Sequence, residues 1–241
     1  MPDDKVTSLD ELMAAWQPLN DLHRAGGRYS TGVHLRLHRC FSWAQRAEAS
    51  DLQNDVDVAL ILRTIAFNSL WGRQWRQSEK KTGDHATWAQ FLVDVASHDE
   101  TRRSRLLTLM QGEADLFRSI YENQFSNRDF WCEPAAEGLA RTHETAARAE
   151  RWLEEGNLRS LLWEFAPRIL LIRGQLVHGN ASHGGSLNRK TLQTANLALD
   201  LLLRVVLEIL ILDDGHEQDL EWEPVPYPPD GEFVPDSPGT T

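Results

Sequence analysis

A chain of 241 residues with 41% hydrophobic residues and nine tryptophans carries enough apolar side chain for one large buried core. Its two cysteines, Cys40 and Cys132, exclude a disulfide framework and a cysteine metal cluster, and fit a reducing, cytoplasmic setting. The net charge of −11 argues against a broadly basic nucleic-acid surface, but nine acids follow residue 212 with no lysine or arginine, leaving the rest of the chain at only −2.

The opening Met-Pro-Asp-Asp-Lys has no apolar run, so no secretory signal is expected. Ser8 and Glu11 make a capping-box pair, which predicts a short helix through Leu12, Met13 and Trp16 that ends before Pro18. Gly26 and Gly27 then break the chain. Residues 31–49 read as a helix with apolar Val33, Leu35, Leu37, Phe41 and Trp43, and a basic side of Arg36, Arg39 and Arg46. His34 and His38 stand four apart, a spacing that can grip a metal from one helical face. No third ligand is near, and no metal is expected. Asp51 is expected to open the next helix, over about residues 56–77, which is apolar on most sides and therefore central. Arg63 is expected to reach solvent along its stem. Asn68 either bonds a neighbour or faces a site formed later in the chain.

Residues 80–83 read as a polar connection. A helix capped by Asp84 follows, with Trp88, Phe91, Leu92 and Val95, then short helices near 103–111 and 114–121. Residues 123–133 read as irregular structure held by Phe125, Phe130 and Trp131. Pro134 starts a peripheral helix over 135–155, with Leu139, Ala146 and Trp152 as its thin apolar seam. No strand-like alternation, hairpin signal or internal repeat occurs, so the expected class is all-α. Residues 1–213 read as one helical domain, with an N-terminal helix and an inserted helical region at about 80–155. The acidic, proline-rich tail at 214–241 is expected to be disordered.

Two strongly apolar helices close the domain, over residues 158–177, with Pro167 inside, and about 190–212. In the last one Asp200, Arg204 and Glu208 fall at four-residue steps and read as a solvent stripe. They also make the run too charged to span a bilayer. The remaining apolar surface is wider than one bundle face needs, which predicts a homodimer interface.

Between these helices lies Arg173-Gly174-Gln175-Leu176-Val177-His178-Gly179. Arginine cannot lose its charge and histidine titrates near neutrality, so the pair can hold a phosphate and move a proton. The same residues also suit an ordinary helix end, with glycine in the turn. Five residues along a helix is about 140° of rotation, so the two side chains converge only if the helix ends near Val177. Asn180, Ser182 and His183 follow in the turn as further hydrogen-bonding groups. There is no glycine-rich phosphate loop, no His-Glu-x-x-His and no Gly-x-Ser-x-Gly, so other common enzyme classes lack their motifs and no cofactor is expected.

An Arg-x4-His ending in His-Gly, late in a helical chain and followed by one long apolar helix, resembles the HEPN superfamily. The stretch Ala66-Phe67-Asn68-Ser69-Leu70-Trp71-Gly72 on the upstream helix is similar as well. The resemblance covers about residues 30–80 and 155–213. It implies a small helical bundle and metal-independent cleavage of single-stranded RNA. It also implies a homodimer that brings two motifs together, so that one histidine serves as base and the other as acid. On this resemblance Arg173 and His178 are the catalytic residues; Asn180, His183 and Asn68 are candidates, from their own chemistry and position, to bind RNA or support the site. A toxin or defence setting would add an antitoxin or regulatory protein as partner. The family usually has a polar residue directly after the arginine, where this chain has Gly174. That departure favours the alternative, a catalytically silent bundle that binds a protein, nucleotide or RNA.

Overall fold

The computed structural model describes residues 6–24, 31–72, 84–97, 100–132 and 135–212, which are almost wholly helical, with no strand among them. The fold is all-α, as the periodicity predicts. The acidic tail expected at 214–241 lies outside the described residues, and the helix expected to run to residue 77 ends at Trp71, where Gly72 turns to extended backbone (ψ 131°) as the C-cap.

The first helix, α1 (Leu9–Arg24), starts as its sequence dictates. Ser8 Oγ accepts from the Glu11 N–H at 3.3 Å and the Glu11 carboxylate accepts from the Ser8 N–H at 2.9 Å, the reciprocal capping box. It does not stop before Pro18. The proline and Ala14, whose carbonyl loses its intrahelical donor, are both exposed, so solvent satisfies that carbonyl. Leu12, Trp16 and Asn20 meanwhile continue one buried stripe past the proline.

Helices α2 (Thr31–Leu52) and α3 (Val56–Trp71) form a hairpin whose turn corrects a boundary. Asp51 closes α2 and does not open α3. Asp55 is the N-cap, its carboxylate accepting from the Val58 N–H at 3.2 Å, and Asn54 supplies the left-handed residue of the turn at φ 58°. At the far end the buried Arg36 of α2 donates to the carbonyls of Leu70 (2.9 Å) and Gly72 (2.7 Å), satisfying the last turn of α3.

Helices α4 (Asp84–Ser97), α5 (Glu100–Gly112) and α6 (Ala114–Tyr121) follow. The segment expected to be irregular is instead a 3-10 turn at Gln124–Ser126 and a short helix, α7 (Arg128–Cys132). Each is started by an asparagine: Asn123 Oδ1 accepts from the Phe125 N–H (2.9 Å) and Asn127 Oδ1 from the Asp129 N–H (3.0 Å). The next helix, α8 (Ala135–Glu155), keeps only part of the expected seam: Trp152 packs partly buried against the core, but the fully buried face is a different one. Leu139 is exposed, while Gly138, Thr142, Thr145, Ala149 and Leu153 are buried. Close approach is the reason. A Cβ on Gly138 would lie 2.8 Å from Phe130 Cα, so no bulky seam fits there, and Thr142 Oγ1 accepts a hydrogen bond from Asn127 at 3.0 Å.

The last two helices are α9 (Leu158–Val177), with Pro167 inside it, and α10 (Arg189–Leu212). The fold is built around α10, which packs on α1, α3, α5, α6 and α9, and Leu199, Leu202, Val206 and Leu207 have no exposed surface. The charged stripe does not face solvent. Asp200 accepts from Arg63 of α3 at 2.9 Å and forms an ion pair with Arg204 at the same distance. Arg204 also reaches Glu48 of α2 at 2.7 Å. Glu208 accepts from Arg105 of α5 (2.9 Å) and from Thr7 (3.1 Å). Arg63 itself is buried, against expectation, because Asp51 and Asn196 (2.6 Å) complete its hydrogen bonding. Apart from Leu197, which is half exposed, α10 spends its apolar surface inside its own chain. The feature from which a dimer through this helix was expected is therefore absent. An all-round apolar pattern is what a central helix needs. No helix among the described residues is long and apolar enough to cross a membrane.

Candidate functional site

Residues 173–179 are the last turn of α9 and its exit. The exit is a Schellman turn: the Gly179 N–H donates to the Leu176 carbonyl (3.2 Å), and the Asn180 N–H to the Gln175 carbonyl (2.9 Å). Gly179 takes φ 72°, which a side chain would resist. His178 is the C-cap, with φ −91° and ψ 8°. The helix thus ends at Val177, with Gly179 turning the chain, as the motif requires.

The two motif side chains nevertheless leave the helix in different directions. Five residues is about 140° on an ideal helix, and the near-helical cap adds little swing. Arg173 lies one turn after the buried Ile169 and is half-buried. His178 lies one turn after Gly174 and is exposed, its Cδ2 lying 3.8 Å from where a Gly174 Cβ would stand. Among the described residues neither side chain has a hydrogen-bond or ion-pair partner.

That sets Arg173 apart from its neighbours. Arg168 is buried and donates to Glu164 (2.8 Å), Ser126 Oγ (3.0 Å) and the Ile120 carbonyl (3.3 Å). Arg189 grips Asp57 through both terminal nitrogens (2.7 and 3.1 Å) and donates to the Gly185 carbonyl at 2.9 Å. Structure consumes the Arg189 fork, and the Arg168 fork is buried in the core with its Nη2 unpartnered and closed to solvent. The Arg173 fork stays available to an incoming anion.

Gln175, inside the motif, anchors it on two sides. Its Nε2 donates to the Phe125 carbonyl at 3.1 Å, and its Oε1 accepts from Asn188 Nδ2 at 3.2 Å. Asn188 has φ 64° at the start of α10. The same Phe125 carbonyl accepts from the indole N–H of Trp131 at 3.2 Å. Trp131, Phe125 and Phe130 pack as a knot, with Phe130 edge-on to both other rings. Sequence reasoning missed Gln175, Asn188 and Trp131 as site residues. The available signal was a lone glutamine between Arg173 and His178 on an otherwise apolar turn.

The supporting residues expected from the sequence are scattered. Asn180 is exposed and contributes its backbone N–H to the helix exit. His183 is exposed and meets Asp55 Oδ1 at 3.1 Å, so it is tied to the N-terminus of α3 and not to Arg173 or His178. Asn68 is half-buried on α3, with a buried Oδ1 that has no hydrogen-bond partner. His34 and His38 pack beside Trp16 (ring centroids 6.0 and 6.1 Å apart) as part of an aromatic cluster.

Asp55, Asp57 and His183 lie close enough to share a cation. The chemistry of the donor set argues otherwise, because Arg189 and the Gly184 N–H (2.6 Å) already occupy the Asp57 carboxylate. Burial alone would push the Asp57 carboxyl up. The hydrogen bonds from Arg189 and Gly184, with the charges of Arg189 and His183, outweigh it and hold the group below the ordinary carboxylate range. The cluster acts as a clasp, pinning the loop after the motif onto the start of α3. Compared with protein-family models, with curated proteins and with solved structures, the chain finds no match.

Proposed function

We propose that this protein is a metal-independent endoribonuclease that cleaves single-stranded RNA through Arg173 and His178. One observation carries the reading: a half-buried arginine fork with no partner among the described residues stands on the same helix end as a solvent-facing histidine. Cleavage by internal transfer needs a base to take the 2′-hydroxyl proton as the 2′-oxygen attacks phosphorus. The P–O5′ bond then breaks, and an acid protonates the departing 5′-oxygen, leaving a 2′,3′-cyclic phosphate. Histidine in either role is worth about 10²–10⁴-fold. Arg173 would hold the phosphate bidentately and stabilise the charge that builds on it. Because the two side chains of one chain diverge, the reading calls for a second copy, with Arg173 of one and His178 of the other at one phosphate. The two histidines then divide the base and acid roles. Toxicity on expression would bring in an antitoxin or regulatory protein as partner.

The test is cleavage of unstructured RNA in the presence of a chelator, comparing wild type with His178→Ala and identifying the product ends. Chelator-resistant cleavage giving cyclic phosphate ends and lost in the variant is expected. Absence of cleavage by the wild type overturns the reading. A second reading, a catalytically silent bundle that binds RNA or a protein, is favoured by Gly174 and by the divergence of Arg173 and His178. Binding without cleavage would select it.

A further inference from the structure

We propose that Trp131, with Arg128 one turn before it, is a nucleobase platform that seats a nucleotide of single-stranded RNA beside the Arg173–His178 end of α9. The choice of RNA rests on the ribonuclease reading; the place rests on geometry.

Trp131 is 55% exposed, although it is the largest apolar side chain in its segment. Its only polar atom is already satisfied by the Phe125 carbonyl, so what it offers to solvent is ring surface alone. That ring is held in place. Phe130 meets it edge-on at 5.4 Å between centroids, Phe125 lies at 6.1 Å, and the hydrogen bond fixes its rotation. A pre-ordered aromatic face costs little further entropy when a base stacks on it.

The platform is also tied to the motif. Phe125 offers one carbonyl with two lone pairs, and Trp131 and Gln175 take one each. The indole and the Gln175 amide are therefore separated by no more than two hydrogen bonds laid end to end, and Gln175 sits two residues from Arg173 and three from His178. Charge completes the site. Arg128 shares the Trp131 side of α7 at i, i+3, is exposed, and has no hydrogen-bond or ion-pair partner among the described residues. Asp129 projects from the other side of this short helix. A base on Trp131 with phosphate near Arg128 is the stacking-plus-cation pattern of single-strand binding.

The test uses the full-length chain and a fluorescein-labelled 2′-O-methyl oligouridylate, which can bind but cannot be cleaved. Trp131→Leu keeps bulk against Phe125 and Phe130 but removes the aromatic face, and should weaken binding about tenfold. Trp131→Phe should keep most of the affinity. An abasic oligomer should bind wild type and Trp131→Leu alike, and 5-bromouridine RNA should photo-crosslink to the peptide containing Trp131. Equal binding of the oligouridylate by wild type and Trp131→Leu overturns the platform. So does a change confined to self-association, which would make Trp131 a protein contact. Cleavage of unmodified RNA is scored separately. Cleavage that is indifferent to Trp131→Leu sinks the platform alone, Trp131-dependent binding without cleavage sinks the nuclease alone, and no RNA binding at all removes both.

Discussion

Arg63 and Arg173 carry the same charge at opposite depths of engagement, and the contrast predicts opposite phenotypes. Arg63 is buried among Asp51, Asn196 and Asp200. Arg63→Ala would leave Asp51 without its cation and Asp200 with Arg204 alone, so urea unfolding should show a loss of about 3 kcal/mol. Arg173 holds nothing among the described residues, so Arg173→Ala and His178→Ala should leave the melting temperature almost unchanged while lowering RNA cleavage at least about 10²-fold. Arg173→Lys should rescue poorly, because a point charge cannot reproduce the fork. Gly174→Asn has room at Cβ, which among the described residues would meet only His178 Cδ2 at 3.8 Å, and should raise cleavage if the polar neighbour matters. Full activity in Arg173→Ala would refute the assignment.

Helix ends written in local capping chemistry were legible, whereas those read from a single residue, at Pro18 and Asp51, were not, and faces were the least legible. The Ser8–Glu11 box and the Gly179 exit are local chemistry, written within four residues, and both sit where the sequence puts them. The fully buried face of α8 was not legible, because its seam is chosen by how close α7 comes and not by which residues are most apolar. Arg63 was misjudged for a related reason: its partners lie 12, 133 and 137 positions away, beyond any periodicity argument. The motif residues could be read, but not their divergence, which depends on the cap conformation at His178. Gly138→Ala tests the close approach directly. With Phe130 Cα only 2.8 Å from the new Cβ, backbone must move, at a cost of about 1–3 kcal/mol. Thermal melts measure the loss, and photo-crosslinking at Trp131 should weaken with it, since Phe130 and Trp131 share α7. Unchanged stability would mean the two helices separate freely.

Across the molecule, the clasp at Asp57 joins the loop of residues 179–188 to the α2–α3 hairpin. Its carboxyl is held below the ordinary range in the folded state, so the stability it adds is fully present above the unfolded value of about 3.9 and is lost as pH falls through the lower folded value. Asp57→Asn should therefore melt earlier than wild type at pH 6, and the gap should narrow as pH drops toward 2. A gap that stays constant with pH would show that the carboxylate charge contributes nothing.

The placement of α10 has a consequence for how the chain comes into being. Thr7 bonds Glu208, and α1, α3, α5, α6 and α9 all pack on a helix that begins only at Arg189. Synthesis proceeds from the N-terminus at about 5–20 residues per second, so five helices wait for several seconds with their inner faces wet. Contacts this distant in sequence also close slowly. Apolar faces left open in this way are the kind of surface holding chaperones bind. A fragment ending at residue 188 should bind a hydrophobic dye and lack near-ultraviolet circular dichroism. Adding the α10 peptide in trans should abolish the dye binding and restore the near-ultraviolet signal.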